Sequence, residues 1–261
     1  MAEADADLAV AQGCALTVGG CRQADADGGV VAIDYWTPAS VNPGADGLRR
    51  VLAAVGIACE VEEQVESDAW QNSLCDFHQP VVAGRIRVRP PWVAPLPGML
   101  DVSIDPGMAF GTGQHPTTRT SLQLIADVPR GPVLDAGCGT GVLAIAAARL
   151  GFGPIVAIDF DPQAIRATAA GARANMVAID LRQTRIGDDA IPYAPIVFAN
   201  LTLEVLRILA TALAGQAPDH LVASGLYVHE VDDAIAAFAP LGLAEVRRIE
   251  EDGWASVRMA R

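Results

Sequence analysis

Basic residues are scarce in this chain: across 261 residues, 18 lysines and arginines face 31 aspartates and glutamates, for a formal net charge of −13. Such a chain repels a phosphate backbone, which excludes the plain electrostatic attraction that most nucleic-acid binders use. A basic protein partner fits better, and no direct contact with nucleic acid is expected, although net charge speaks first to solubility and association rate. Cysteine is sparse as well. Cys14, Cys21, Cys59, Cys75 and Cys138 are odd in number and scattered, with no C-x-x-C pair and no zinc-finger spacing, which excludes a disulfide scaffold and a structural zinc. His78, His220 and His229 lie in unlike contexts and form no metal-binding pattern, so no metal is expected. No apolar run reaches the ~18 residues of a membrane helix, and the opening Met1-Ala2-Glu3-Ala4-Asp5 is acidic where a signal peptide is basic. We therefore expect a cytoplasmic monomer that stays away from membranes.

What the chain does have is 51% hydrophobic residues with 19% charged, the balance of a folded globular protein. Its length allows one full core and a smaller domain beside it. Residues 1–65 read as a small α+β unit: a short helix, strands at Ala15–Val18 and Val30–Tyr35, a helix near Asp46–Val55 and a strand at Ala58–Val65. At this size the unit is marginal as an independent fold, which suits a partner-docking module. Residues 66–78 read as a linker. A β-like run at Val81–Val88 and the prolines Pro90, Pro91, Pro95, Pro97 and Pro106 then mark an entry strand pair, because proline removes backbone donors and blocks helix.

From Thr117 onward strands and helices alternate. Helices are expected at Thr117–Ile125, Val142–Leu150, Pro162–Asn175, Leu203–Ala214 and Val231–Phe238, and strands at Val133-Leu134, Ile155–Ile158, Ile196–Ala199 and Leu221–Ser224. Closing strands follow at Ala244–Glu250 and Trp254–Met259. This alternation predicts a parallel sheet covered on both faces, a doubly wound Rossmann-like α/β domain over 79–261.

The chemistry concentrates at Val133-Leu134-Asp135-Ala136-Gly137-Cys138-Gly139-Thr140-Gly141, a strand end that runs through a glycine-rich turn into an alanine-rich helix. Glycines permit positive φ and let a ligand approach the backbone, while the following helix offers amide donors. A dinucleotide fingerprint requires G-x-G-x-x-G to seat a pyrophosphate, whereas Gly137, Gly139 and Gly141 are spaced G-x-G-x-G behind an acid, Asp135. A carboxylate there repels pyrophosphate but suits the ammonium group and cationic sulfonium of S-adenosylmethionine. A second acid, Asp159, ends the next strand, where a carboxylate can accept both hydroxyl hydrogens of a ribose.

Three further features bear on a site. Asn200 follows the strand Ile196–Ala199 at the carboxyl edge of the sheet, where its side-chain carbonyl can accept a hydrogen bond from an attacking amine; capping the helix after it is the alternative. Asp105 to Thr118 is dense in glycine, threonine and proline and reads as a loop over a bound ligand, contributing the Thr118 hydroxyl. His115 within it is either a general base or a structural hydrogen-bonder. Asp161-Pro162 reads as an N-cap and first helical residue rather than a ligand contact.

The segment Pro106-Gly107-Met108-Ala109-Phe110-Gly111-Thr112-Gly113-Gln114-His115-Pro116-Thr117-Thr118 carries a more specific resemblance. Together with Asp135–Gly141, Asp159-Phe160-Asp161-Pro162, Ala199-Asn200-Leu201, Ser224-Gly225-Leu226 and Gly253-Trp254, it resembles the bacterial PrmA methyltransferases, which modify ribosomal protein L11. The resemblance covers most of residues 66–261. It implies a class I methyltransferase domain that uses S-adenosylmethionine, with cofactor contacts at Thr118, Gly137, Asp159 and Asn200. It also implies an N-terminal ferredoxin-like domain that holds the ribosomal protein, and a linker carrying a tryptophan, here Trp70. The expected reaction is in-line methyl transfer to a neutral lysine ε-amine or terminal α-amine, with Asn200 orienting the amine; Phe110 and Trp254 read first as core residues and, as the alternative, as apolar walls of the site.

The chain departs from the family pattern in its short first 65 residues, in the stretch after Asn200 and in Ala217-Pro218-Asp219-His220, which lacks a glycine pair. Two other readings stay open: a methyltransferase of another protein or a small molecule, and a ribosome-assembly protein that binds the cofactor without catalysis.

Overall fold

Strand residues buried on both faces should be apolar without alternation, and Val133–Ala136, Ile155–Asp159 and Ile196–Asn200 are nearly so, interrupted only by the acids and the amide at their ends. A computed structural model describes residues 21–26, 30–35, 44–57, 59–61, 79–105 and 113–261. The expected strand Ala15–Val18, the linker with Trp70, and Phe110 lie outside these residues. The chain divides into two units, Met1–Trp70 and Gln71–Arg261.

In the first unit, β1 (Cys21–Ala26) and β2 (Val30–Tyr35) pair antiparallel, with Cys21 opposite Tyr35 and Ala26 opposite Val30. Helix α1 (Gly44–Ala54) follows, close to the expected helix. Its Leu48 and Leu52, four residues apart and so on one face, are buried together with Ile57. The sequence reading missed β1 because Cys-Arg-Gln-Ala-Asp-Ala has no β-branched residue.

The second unit opens with a three-stranded sheet. Strand β3 (Val81–Ala83) pairs antiparallel with β4 (Ile86–Arg89), which pairs parallel with β5 (Leu100–Ser103). The single β-like run expected at 81–88 is therefore a hairpin, and β5 went unread behind the prolines. Ile86 and Val88 of β4 and Val102 of β5 join the buried core. Asn175 fixes the end of β5, accepting from the Ser103 amide at 2.8 Å and donating to the Ser103 carbonyl at 2.7 Å.

The main sheet has seven strands: β6 (Val133–Ala136), β7 (Ile155–Asp159), β8 (Asp180–Gln183), β9 (Ile196–Asn200), β10 (His220–Tyr227), β11 (Ala244–Glu251) and β12 (Trp254–Ala260), in spatial order β11-β12-β10-β9-β6-β7-β8. Strands β6 to β10 run parallel, and β12 is antiparallel to both of its neighbours. The edge strand β8 was not expected, since Asp-Leu-Arg-Gln is polar and largely exposed and pairs through its backbone.

Helices α2 (Pro116–Ala126), α3 (Val142–Arg149), α4 (Pro162–Ala174), α5 (Leu203–Ala212) and α6 (Val231–Phe238) lie within one residue of their expected ends, apart from the carboxyl end of α5, which comes two residues early. Asp161 caps α4, accepting from the Gln163 amide at 2.7 Å with Pro162 behind it, so the capping reading of that pair holds. Alternate residues of β9 serve opposite faces: Ile196 and Phe198 pack in one core with α2 and α3, Val197 and Ala199 in the other with α5 and α6. The strand order reverses between β6 and β9, and the crevice at the carboxyl ends of those strands is where such sheets bind ligands.

Candidate active site

The glycine turn after β6 is closed largely on itself. The Gly137 and Cys138 amides both donate to the Ile158 carbonyl, at 2.9 and 3.0 Å, and the Gly141 amide donates to the Cys138 carbonyl at 2.7 Å. Two acids take further donors: Asp159 Oδ2 accepts from the Gly139 amide and Asp135 Oδ2 from the Ala144 amide, both at 3.0 Å. The sequence reading expected amides offered to a ligand. Instead, backbone carbonyls and Asp159 take the turn's amides, and Asp135 takes the Ala144 amide in the first turn of α3, donors that would otherwise form an anion nest, so the turn is poorly suited to phosphate.

The two acids sit in unlike surroundings. Asp135 is 1% exposed, and burial pushes its carboxyl up to about 7, a rise opposed by the Ala144 amide and reinforced by the Asp159 charge. Asp159 lies at the end of β7 with its second oxygen accepting from the Asp161 amide at 2.9 Å. Carboxylate oxygens have about four acceptor positions between them, so Asp159 keeps capacity for two more donors. Beside it the Phe160 ring is 57% exposed, with the Arg185 guanidinium 4.6 Å from its centroid.

Gly137 is required for a reason the sequence did not reveal. Its φ is +77°, and a Cβ there would lie 2.4 Å from Leu201 Cδ2. The same leucine is wedged from the other side: Gly225, with φ +83°, would carry a Cβ 2.4 Å from the Leu201 carbonyl oxygen, and the Leu201 amide donates to the Ser224 carbonyl at 3.0 Å. The turn behind Asn200 is thus held between one glycine of the turn after β6 and one of β10.

Asn200 ends β9, and its Nδ2 donates to Thr117 Oγ1 at 3.3 Å. Thr117 Oγ1 lies 2.8 Å from His115 Nδ1, which also accepts from the Thr117 amide as the N-cap of α2. The cap of α5 is Thr202 rather than Asn200, so the capping alternative for Asn200 does not hold. His115 is held below the ordinary histidine range by burial and then by the Arg119 charge, so it is a neutral hydrogen-bonder at neutral pH. Its ring meets Trp254 edge-on at 4.7 Å, and Trp254 stacks on Tyr227 at 4.3 Å. Thr118 is fully buried, and its hydroxyl has no hydrogen-bond partner among the described residues.

Residues 48–261 match the family described as Ribosomal protein L11 methyltransferase (PrmA). The chain belongs to this family. It is 37% identical over 240 residues to the ribosomal protein L11 methyltransferase of Bordetella parapertussis, covering 83% of this chain and 76% of that one. It is 39% identical over 226 residues to that of Dechloromonas aromatica, covering 79% and 74%. The crystal structure of a ribosomal protein L11 methylase from Lactobacillus delbrueckii subsp. bulgaricus superposes with a TM-score of 0.64 at 25% identity, over 70% of this chain and 99% of that one. An α/β methyltransferase fold that uses S-adenosylmethionine follows from this membership.

For this L11 methyltransferase family member, the residues singled out in the sequence come from five segments around the carboxyl end of the sheet: Asp135 from β6, the glycines from the turn, Asp159 from β7, Asn200 from β9 and Thr118 from α2. Gly137 and Asn200 are joined through Leu201, and Gly139 is bonded to Asp159. Asp135 and Thr118 are both enclosed, at 1% and 0% exposure. The sequence reading missed Ser224 and Ser256, both fully buried, whose hydroxyls are 2.5 Å apart. It also missed Arg119 and the Tyr227 stack. The hydroxyl pair had no signal, since serine within a strand is commonplace, but an arginine inside the first turn of a helix that begins at a ligand loop was a readable one.

Proposed function

We propose that this protein transfers a methyl group from S-adenosylmethionine to amino groups of ribosomal protein L11, either lysine ε-amines or the terminal α-amine. The observation that carries the reading is where the amides around the glycine turn go: Gly137, Cys138 and Gly141 donate to backbone carbonyls, Gly139 donates to Asp159, and Asp135 takes the Ala144 amide in the first turn of α3. That arrangement favours a cofactor with a cationic end and neutral hydroxyls over one that ends in phosphates. S-adenosylmethionine, when bound, supplies an electrophilic methyl group on a positively charged sulfur.

In this reading Asp159 holds the ribose through its remaining acceptor positions, and the unpartnered Thr118 hydroxyl gains the bond it lacks. Gly137, Gly139 and Gly141 let the cofactor lie along the turn, and Asp135, enclosed behind it, sets a negative charge there as pH rises through its ionisation at about 7. Asn200 has its NH2 group engaged by Thr117, so its carbonyl oxygen accepts from the incoming amine and aims the nitrogen lone pair at the methyl carbon. A lysine amine ionises near 10.4 in water, and the aromatic wall of Trp254 and Tyr227 favours its neutral form by removing water. No strong base is required, because holding donor and acceptor in line contributes on the order of 7 to 11 kcal/mol. The ferredoxin-like arrangement of residues 1–65, with 66–78 as linker, serves in this reading to hold L11, and the substrate places the reaction in the cytoplasm.

The test is incubation of the purified protein with methyl-labelled S-adenosylmethionine and purified L11. Label on L11 amines is expected. Cofactor binding without label on L11 or on any lysate protein would leave a binding protein and overturn the enzymatic reading.

A further inference from the structure

Arg119 stands at the end of the first turn of α2, next to Thr118. A cation there faces the positive end of the helix dipole, a position that acids normally fill, and α2 has no acid in that turn. The cost is offset from elsewhere. Arg119 Nε donates to Glu251 Oε1 at 2.8 Å, its terminal nitrogens reach the same carboxylate at 2.5 Å and Asp252 Oδ2 at 3.4 Å, and one donates to the Gln114 carbonyl. One guanidinium thus joins the loop before α2, the helix itself and the turn between β11 and β12.

The pieces joined are the two sides of the acceptor region. Loop and helix carry His115, Thr117 and Thr118; the turn, with Asp252 at φ +51° and Gly253 at +79°, delivers Trp254. Gly253 is further tied by its carbonyl, which accepts from the Val228 amide at 3.1 Å. The edge-on contact of His115 with Trp254 and the chain from His115 through Thr117 to Asn200 both depend on where those two segments sit.

We propose that Arg119 is a positioning residue for methyl transfer: it staples the start of α2 to the β11–β12 turn, so that His115, Thr117 and Trp254 hold Asn200 and the acceptor amine in register. The proposal rests on the reading of the Asn200 side as the acceptor side. Arg119 acts in two separable ways. Its forked geometry spans three acceptors, which lysine cannot do with a single ammonium. Its charge disfavours protonation of His115, whose Nδ1 must stay an acceptor to keep the Thr117 bond. The groups against His115 are Arg119 and the uncharged Thr117 on its own helix and Trp254 on β12, while Glu251 and Asp252 bind Arg119 itself.

Arg119→Met and Arg119→Lys, made in the full chain, separate the two. With purified L11 and S-adenosylmethionine, Arg119→Met is expected to lower kcat roughly tenfold to a hundredfold, the range for misplacement of reacting groups by about 1 Å. Cofactor affinity, read by calorimetry, should be unchanged. Its acid limb in the pH–rate profile should move to higher pH, as should the His115 midpoint in an NMR titration assigned with His115→Gln. Arg119→Lys should restore both midpoints but only part of kcat. Wild-type kcat and an unmoved midpoint in Arg119→Met would overturn the staple, as would losses of kcat and cofactor affinity in proportion. If the wild-type protein binds cofactor but leaves L11 unlabelled, the acceptor reading has failed on its own account; an unmoved His115 midpoint in Arg119→Met then still refutes the staple, and a raised one supports it.

Discussion

Asp135 and Asp159 are both aspartates at strand ends, 24 residues apart, and burial makes them chemically different. The Asp135 carboxyl ionises at about 7 in the folded chain, against 3.8 for the ordinary side chain. The folded state therefore holds this proton more tightly than the unfolded state between those values. Its contribution favours folding at acid pH, is lost as pH rises through that window and is constant above about 7. Asp135→Asn removes the titration, so its stability relative to wild type, measured by urea unfolding, should increase from pH 4 to pH 7 and then level off. A difference independent of pH would refute the assigned ionisation. Asp159 carries the opposite prediction, about binding. Asp159→Asn keeps the shape but weakens charge-assisted bonds, each contributing about 1.5–3 kcal/mol, so affinity for S-adenosylmethionine should fall roughly tenfold to a hundredfold by calorimetry. Unchanged affinity would remove Asp159 from the ribose.

At the scale of elements, the site is held by packing between strands that are far apart in sequence. Gly225 on β10 and Gly253 between β11 and β12 have nearly the same φ, +83° and +79°, but a Cβ at Gly225 would strike the Leu201 backbone while one at Gly253 meets nothing within 4 Å. Gly253→Ala should cost only the left-handed backbone term, about 1–2 kcal/mol. Gly225→Ala should cost more in urea unfolding and also lower kcat, because Leu201 moves and Asn200 moves with it. Equal costs would show that the wedge is not tight. A second brace is the hydroxyl chain in which Ser256 lies 2.5 Å from both Thr120 and Ser224, whose hydroxyl donates to the Thr117 carbonyl at 3.1 Å. Most elements were legible because their signals are local: alternation of apolar runs, Pro162 after Asp161, glycine after a buried strand. Strands β1, β5 and β8 were not, since their pairing is decided by partners while their own residues are polar or follow prolines.

For the whole molecule, all 18 positions in the lysine-plus-arginine count are arginine. A lysine methyltransferase without lysine has no side-chain amine of its own to modify. In the L11 assay, base-stable methyl label on lysine should therefore appear only in the acceptor, and mass spectrometry of the enzyme after long incubation should show no methylated lysine. The net charge of −13 adds a second expectation. Attraction between this chain and a cationic acceptor is screened over about 8–10 Å at 0.1–0.15 M salt, so KM for the acceptor should rise with ionic strength while cofactor affinity changes little. A KM insensitive to salt would show that charge does not guide the encounter.

The sequence by itself determined the alternating α/β layout, the cofactor turn with its two acids, and the family, because each is carried by neighbouring residues whose spacing follows from strand and helix periods. Only the tertiary structure decided what those residues do to one another. It enclosed Asp135, gave the turn's amides to backbone carbonyls and Asp159, set Leu201 between Gly137 and Gly225, and brought Arg119 to Glu251 at the end of β11, 132 residues away. Those outcomes depend on which strands become neighbours, and burial and pairing between them are properties of the folded sheet rather than of any local run of residues.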